Sequence, residues 1–159
     1  MGMIKIFPAD AWFSKCIRER AGWSCERCGV SYVPPTQALH CAHFHSRGSW
    51  STRFDPSNAL AFCYGCHQYT STHRDEHTKI HRSIIGELEF DRIWFDHSRP
   101  ATKIKSRKAE IARHFRQEFE RLQKLRDKGF TGRLEFEAWD ASSDLRKTVT
   151  SRKPKARKS

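Results

Sequence analysis

An α+β fold is expected from this chain, and three features predict it. Two Cys-x-x-Cys pairs, Cys25/Cys28 and Cys63/Cys66, stand 34 residues apart. Each such knuckle supplies two thiolates, and two knuckles close a tetrahedral zinc site. Residues 37–43 and 58–63 read as strands around a polar loop rich in Ser, Gly and Asp-Pro turn signals. Helical periodicity dominates the remainder.

Taken in order, residues 3–7 are apolar enough for a strand or packed arm, ended by Pro8. Asp10 is a good N-cap for a helix with Trp12, Phe13, Cys16 and Ile17 on one stripe and Gly22 past its end. Gly29 after the first knuckle permits the tight turn that lets amides approach the sulfurs. A register in which residues 39–43 face residues 59–63 would follow, with a short helix from Cys66 onward. Two further helices are expected over 74–85, with Ile80 and Ile84 inward, and over 87–95. The clearest helix covers 106–128: Ile111, Phe115, Phe119, Leu122 and Leu125 form one apolar seam, and Gly129 is a natural stop.

The organisation expected is a zinc-stapled domain over 1–97, a basic helical extension packed on it over 98–140, and a disordered basic tail over 141–159. The tail lacks apolar periodicity. Only 37% of the chain is apolar, so its core is modest and a metal staple is a useful supplement. Structural zinc supplies roughly 10–16 kcal/mol of apparent folding free energy in small domains.

The formal net charge is +12, unevenly spread. Residues 1–96 carry 11 Lys/Arg against 10 Asp/Glu, residues 97–128 carry 11 against 4, and residues 141–159 carry 7 against 1. Such clustering favours a polyanionic partner, and nucleic acid is the usual one. The C-x-x-C spacing suits metal rather than disulfides, which implies a reducing cytoplasm. Cys16 and Cys41 are left over and are expected to be buried thiols. No apolar run reaches transmembrane length, so no membrane partner is expected.

His43, Asn58 and His67 are the residues that suggest chemistry. Phosphodiester hydrolysis needs water deprotonated and charge relieved on the leaving oxygen. His43, at the end of the first strand, has a side chain suited to a general base. His67, at the start of the helix, can offer a ring nitrogen to a divalent cation. Asn58 can orient groups beside that cation or fix the loop that bears the base.

Cys25-x-x-Cys28-Gly29, Ala42-His43-Phe44, Arg53-Phe54, Asn58 and Cys63-x-x-Cys66-His67 together resemble the HNH (ββα-metal) endonuclease family. Within it the chain is similar to the phage NinG/Rap-type recombination nucleases, over roughly residues 10–128. The resemblance implies a ββα-metal core with a four-cysteine zinc site, and a DNA endonuclease dependent on Mg²⁺ or Mn²⁺. It further implies branched substrates such as Holliday junctions and D-loops, in the host cytoplasm if the chain is phage-encoded. His43 would be the base, His67 a ligand of the catalytic metal, and Asn58 the motif asparagine.

One departure from that pattern is Ala42, which occupies the position where the family usually carries a metal ligand. His40, His45, His73 and His77 are available substitutes, and of these His73 and His77 are candidate ligands. His73, His77 and His81 also form a stripe at helical spacing, for which a solvated face is the expectation. Arg47 and Arg53 flank the loop and suit phosphate pairing. Lys103, Lys105, Arg107, Lys108, Arg113 and Arg116 would contact backbone phosphates, positioning the protein without reading bases. A homodimer through residues 90–95 would suit cutting two strands. Two other readings stay open: an HNH nuclease acting on linear duplex, and a non-catalytic zinc module that binds nucleic acid.

Overall fold

A computed structural model describes residues 3–141, in which six helices surround a two-stranded antiparallel sheet. Helix α1 covers Pro8–Arg20. Its start corrects the expected one: Pro8 is the first helical residue, where a missing N–H costs nothing. Asp10 lies inside the first turn, and its carboxylate accepts from the Phe7 backbone N–H at 2.8 Å. Residues 3–7 form no strand. Gly22 and Trp23, at φ of 62° and 58°, reverse the chain after α1.

The first knuckle follows, its turn closed by Gly29 N–H to the Cys25 carbonyl at 2.9 Å with Gly29 at φ 78°. Strands β1 (Leu39–His43) and β2 (Ala59–Cys63) pair as expected, with Leu39 opposite Cys63 and His43 opposite Ala59. The 3-10 turn Pro56–Asn58 leads into β2. Helix α2, Tyr64–Thr72, begins two residues earlier than expected because the Cys63 sulfur caps it, accepting from Cys66 N–H at 3.5 Å. Helices α3 (Arg74–Ile85) and α4 (Glu87–Asp96) match the expected spans within a residue. The expected basic helix is α6, Lys108–Asp127, and a short α5, Thr102–Ser106, precedes it.

The core lies between α1, one face of the sheet and α6. Phe13 is its centre, with ring contacts to Phe115 at 5.1 Å and to Phe54 and Phe136 at 6.1 Å. Ile111, Phe115 and Leu122 of the expected seam are fully buried, and both leftover cysteines are buried thiols. Leu60, Ala61 and Phe62 of β2 are wholly excluded from solvent, because helices cover both faces of the hairpin. Residues 142–159, and with them nearly all of the expected tail, lie outside the described residues. Among the described residues no helix is long and apolar enough to cross a membrane.

Candidate metal centre and histidine site

The four knuckle cysteines converge. Their sulfurs all lie within 4.8 Å of one another, with Cys28 and Cys63 at 3.8 Å. Tetrahedral zinc with bonds of about 2.3 Å requires sulfur separations of about 3.8 Å, so the cluster fits a metal ion such as zinc. What brings the knuckles together is visible in the backbone. Glu26 N–H donates to the Ala61 carbonyl at 2.8 Å, and the Glu26 carboxylate accepts from Ala61 N–H at 2.8 Å. One residue of the first knuckle is thereby zipped to the strand that delivers the second.

The surroundings favour thiolates unequally. Burial resists ionisation of Cys25, but hydrogen bonds from the backbone at Cys28, Cys63 and Arg27 outweigh it and bring the thiol down to about 7. Burial and the neighbouring sulfurs push Cys66 up to about 12, although Arg27 donates to it at 3.3 Å. A bound dication would reverse that second effect, since coordinating thiols are held deprotonated.

The hairpin then sorts the histidines onto two faces, because successive strand residues point oppositely. His43 and Cys41 face α1: the His43 ring packs on Phe13 at 5.7 Å. Its Nε2 lies 3.1 Å from the Arg53 carbonyl. A carbonyl only accepts, so Nε2 carries the proton and Nδ1 the lone pair. Nδ1 is 4.0 Å from the buried Cys41 sulfur. Burial, reinforced by Arg47, lowers His43 to about 4, so the ring is neutral at physiological pH.

His40 and Ala42 occupy the opposite pleat. There His40 Nδ1 meets His67 Nδ1 at 3.0 Å, the rings at 87°. His40 and His67 both line an open cavity of about 250 Å³ whose walls include Ser14, Arg18, Cys41 and Arg47. Burial, then the His40 and Arg47 charges, depress His67. Two nitrogens 3.0 Å apart suit adjacent positions on one divalent cation. Ala42, fully buried, adds no ligand. Among the described residues the cysteine cluster is the one group of three or more His, Cys, Asp or Glu with ligand atoms this close. A cation at the histidine pair would therefore complete its shell with water or substrate oxygens.

Asn58 takes the loop-fixing role. It is fully buried, accepts from His45 N–H at 2.9 Å, and donates to the carbonyls of His45 and Thr52, both at 3.0 Å. It thus pins the start and middle of the loop that bears Arg53, whose carbonyl holds His43.

Four expectations need correction. Arg53 is not a surface phosphate contact: it is 2% exposed and grips Asp10 through two hydrogen bonds of 2.9 and 2.8 Å. It also donates to the Lys5 and Arg47 carbonyls, at 2.6 and 3.1 Å. His73 is exposed and turned back, its Nδ1 2.9 Å from the Tyr69 carbonyl and its ring stacked on Tyr69 at 4.2 Å, so it points to no metal. His77 is buried against Phe44 and Phe62. The stripe it shares with His81 is core rather than solvated face, while Ile80 and Ile84 are only partly buried.

Of the remaining basic candidates, Arg47 is half-buried beside the histidine cavity, 3.8 Å from Asp10. Lys103, Lys105 and Arg113 are exposed. Arg107 pairs with Glu110, and Arg116 pairs with Glu120 at 3.1 Å. Sequence reasoning missed Asp10, Arg18 and Cys41 as neighbours of the site, and it named His40 only as one substitute among several. The signal for His40 was present: it sits two residues before Ala42, on the same pleat. No family model matches the chain, and neither a curated protein nor a solved structure matches it.

Proposed function

We propose that the chain is a divalent-metal-dependent DNA endonuclease of the HNH type, with zinc in the cysteine cluster and branched DNA as its substrate. The observation that carries this reading is the His40–His67 pair, 3.0 Å apart at the mouth of a cavity shared with Arg18 and Arg47. On this reading His40 stands in for the ligand that Ala42 lacks. His40 and His67 would hold Mg²⁺ or Mn²⁺, which supplies charge relief to the leaving 3′ oxygen when bound.

The chain's own residues do the rest. The Arg53 carbonyl fixes the His43 tautomer, so Nδ1 is the atom that accepts a proton from water. The resulting hydroxide attacks phosphorus, the P–O3′ bond breaks, and the alkoxide takes a proton from solvent. Arg47 and Arg18 offer guanidinium groups to the phosphate oxygens. Asn58 keeps the loop, and therefore the Arg53 carbonyl, in place.

The test is cleavage of a four-way junction and of matching linear duplex at fixed salt, with Mg²⁺ or Mn²⁺ added. His43→Ala should abolish cutting while leaving DNA affinity within a few-fold. A specific observation favours the non-catalytic alternative: half-buried His43 lies on the opposite pleat from His40, outside the lining of the histidine cavity, with one ring nitrogen on a carbonyl and the other beside a thiol. If the native protein cuts no DNA form with either cation, that alternative replaces the nuclease. Equal cutting of duplex and junction would leave a nuclease without branch selectivity.

A further inference from the structure

Trp50 lies in the middle of the loop that Asn58 pins, and nothing in the hydrolytic scheme uses it. Its indole rests on Phe7 at 5.8 Å and Phe54 at 6.2 Å, with the Arg53 guanidinium 4.3 Å from its centre. The other groups drawn to the ring are cations from the basic helices, Lys108 Nζ at 5.7 Å and Lys105 Nζ at 5.8 Å. Lys108 also lies 4.8 Å from the Phe7 ring, and Lys5 lies 5.4 Å from it. Among the described residues no carboxylate comes within 4.0 Å of Lys5, Lys105 or Lys108.

Beside the indole opens a cleft of about 480 Å³, whose walls include Ser49, Trp50, His97, Arg99, Thr102 and Lys105. Its chemistry is narrow. Uncompensated lysines exclude a cationic ligand and call for an anion. An aromatic wall adds a π-face, on which a flat group can stack. A nucleotide has both properties. One buried residue links the wall of this cleft to the surroundings of the histidine cavity: Arg53 stacks on Trp50, bonds the Arg47 carbonyl, and presents its own carbonyl to His43.

We propose that this cleft is a single-strand subsite, in which Trp50 stacks on an unpaired DNA base while Lys105 and Lys108 contact the phosphates flanking it. It deepens the nuclease reading and rests on it for the identity of the polymer. Stacking of bases on aromatic side chains tolerates any sequence, and lysines track the backbone. A strand whose bases are already unstacked would enter the cleft more readily than intact duplex, which gives branch selectivity a location.

Binding of a short fluorescein-labelled oligothymidylate to the full chain, by anisotropy without Mg²⁺ or Mn²⁺, tests this. Trp50→Leu should weaken oligothymidylate binding about ten-fold, and duplex of the same length by less than about two-fold. Trp50→Phe should recover most of the loss, because a stacking ring remains. Lys105→Gln, at an exposed site with no role in the core, should lower the salt dependence of single-strand binding by about one counterion. If Trp50→Leu fails to fold, Lys105→Gln decides: single-strand binding with a salt dependence indistinguishable from the parent's overturns the subsite. Equal weakening of single strand and duplex by Trp50→Leu overturns it too. So does thymidine monophosphate competing as well as the oligomer, which would mean a free nucleotide site. Oligothymidylate binding through Trp50 in a protein that cuts nothing would sink the nuclease and keep the subsite. Cutting with normal single-strand binding by the Trp50 variants would do the reverse.

Discussion

Arg53 donates to Asp10, to Lys5 and to Arg47, and its carbonyl receives His43. One side chain therefore joins the N-terminal arm, α1 and the loop over 44–57. Truncating it leaves Asp10, itself 2% exposed, without its hydrogen-bonded counter-ion and with Arg47 3.8 Å away as a weaker substitute. Breaking a buried pair from one side costs roughly 3–5 kcal/mol, so Arg53→Ala should lower stability in urea by about that amount. A change within about 0.5 kcal/mol, in the range of ordinary surface substitutions, would mean that the pair is not formed. The sequence hid this role for a simple reason. An arginine in a loop looks like a phosphate ligand until its partner is known, and Asp10 is 43 positions away. Asn58 was more legible, since a short amide side chain entering a strand after a polar loop has loop-fixing as one of its few uses.

At the scale of elements, the hairpin was readable, and so was the span of α3, but not the way its histidine stripe faces. Two apolar runs flanking turn signals admit few registers, and the observed pairing of 39–43 with 59–63 is the one expected. Helical spacing, by contrast, gives a stripe without saying which way it faces. Phe44 settles the matter, for the rings of His45, His77 and His81 each lie 5.0 Å from it. Imidazoles here act as flat core fillers, and among the described residues His45 Nε2, His77 Nε2 and His81 Nδ1 are buried without hydrogen-bond partners. Burial lowers His45 and His77 to about 4 and His81 to about 3. The unfolded chain takes up these protons near 6.5, whereas the folded chain resists until about pH 4. Stability is therefore fully present above pH 6.5 and falls on acidification, by roughly 1–2 kcal/mol per imidazole at pH 5. Ring resonances followed by NMR should stay flat from pH 7.5 until the protein unfolds. A ring titrating near its free value would show that the helix pair opens.

For the molecule as a whole, the cysteine cluster ties the segment after α1 to the start of α2, beside the Glu26–Ala61 pairing. The knuckle at Cys25–Cys28 follows α1, and the knuckle at Cys63–Cys66 begins α2. Metal analysis of the purified protein should find one tightly bound zinc per chain. Cys28→Ser, at an exposed corner of the cluster, should lower zinc affinity and the midpoint of thermal unfolding together. Full stability after complete zinc removal by a chelator would contradict a structural role. The four-cysteine cluster was legible because its spacing is stereotyped, and the approach of His40 to His67 was not. His40 and His67 come from different elements, and their approach to 3.0 Å depends on how α2 packs on β1.

Cys66 and His67 are adjacent in the first turns of α2, one facing the sulfurs and the other the imidazole of His40. A strain applied at the first has no slack in which to relax before it reaches the second. Loading the protein with cadmium, whose bonds to sulfur are longer, would displace the histidine ring along with the knuckle. If the proposed nuclease activity holds, toxic-metal exchange should consequently register as lost DNA cleavage in a fold that stays intact.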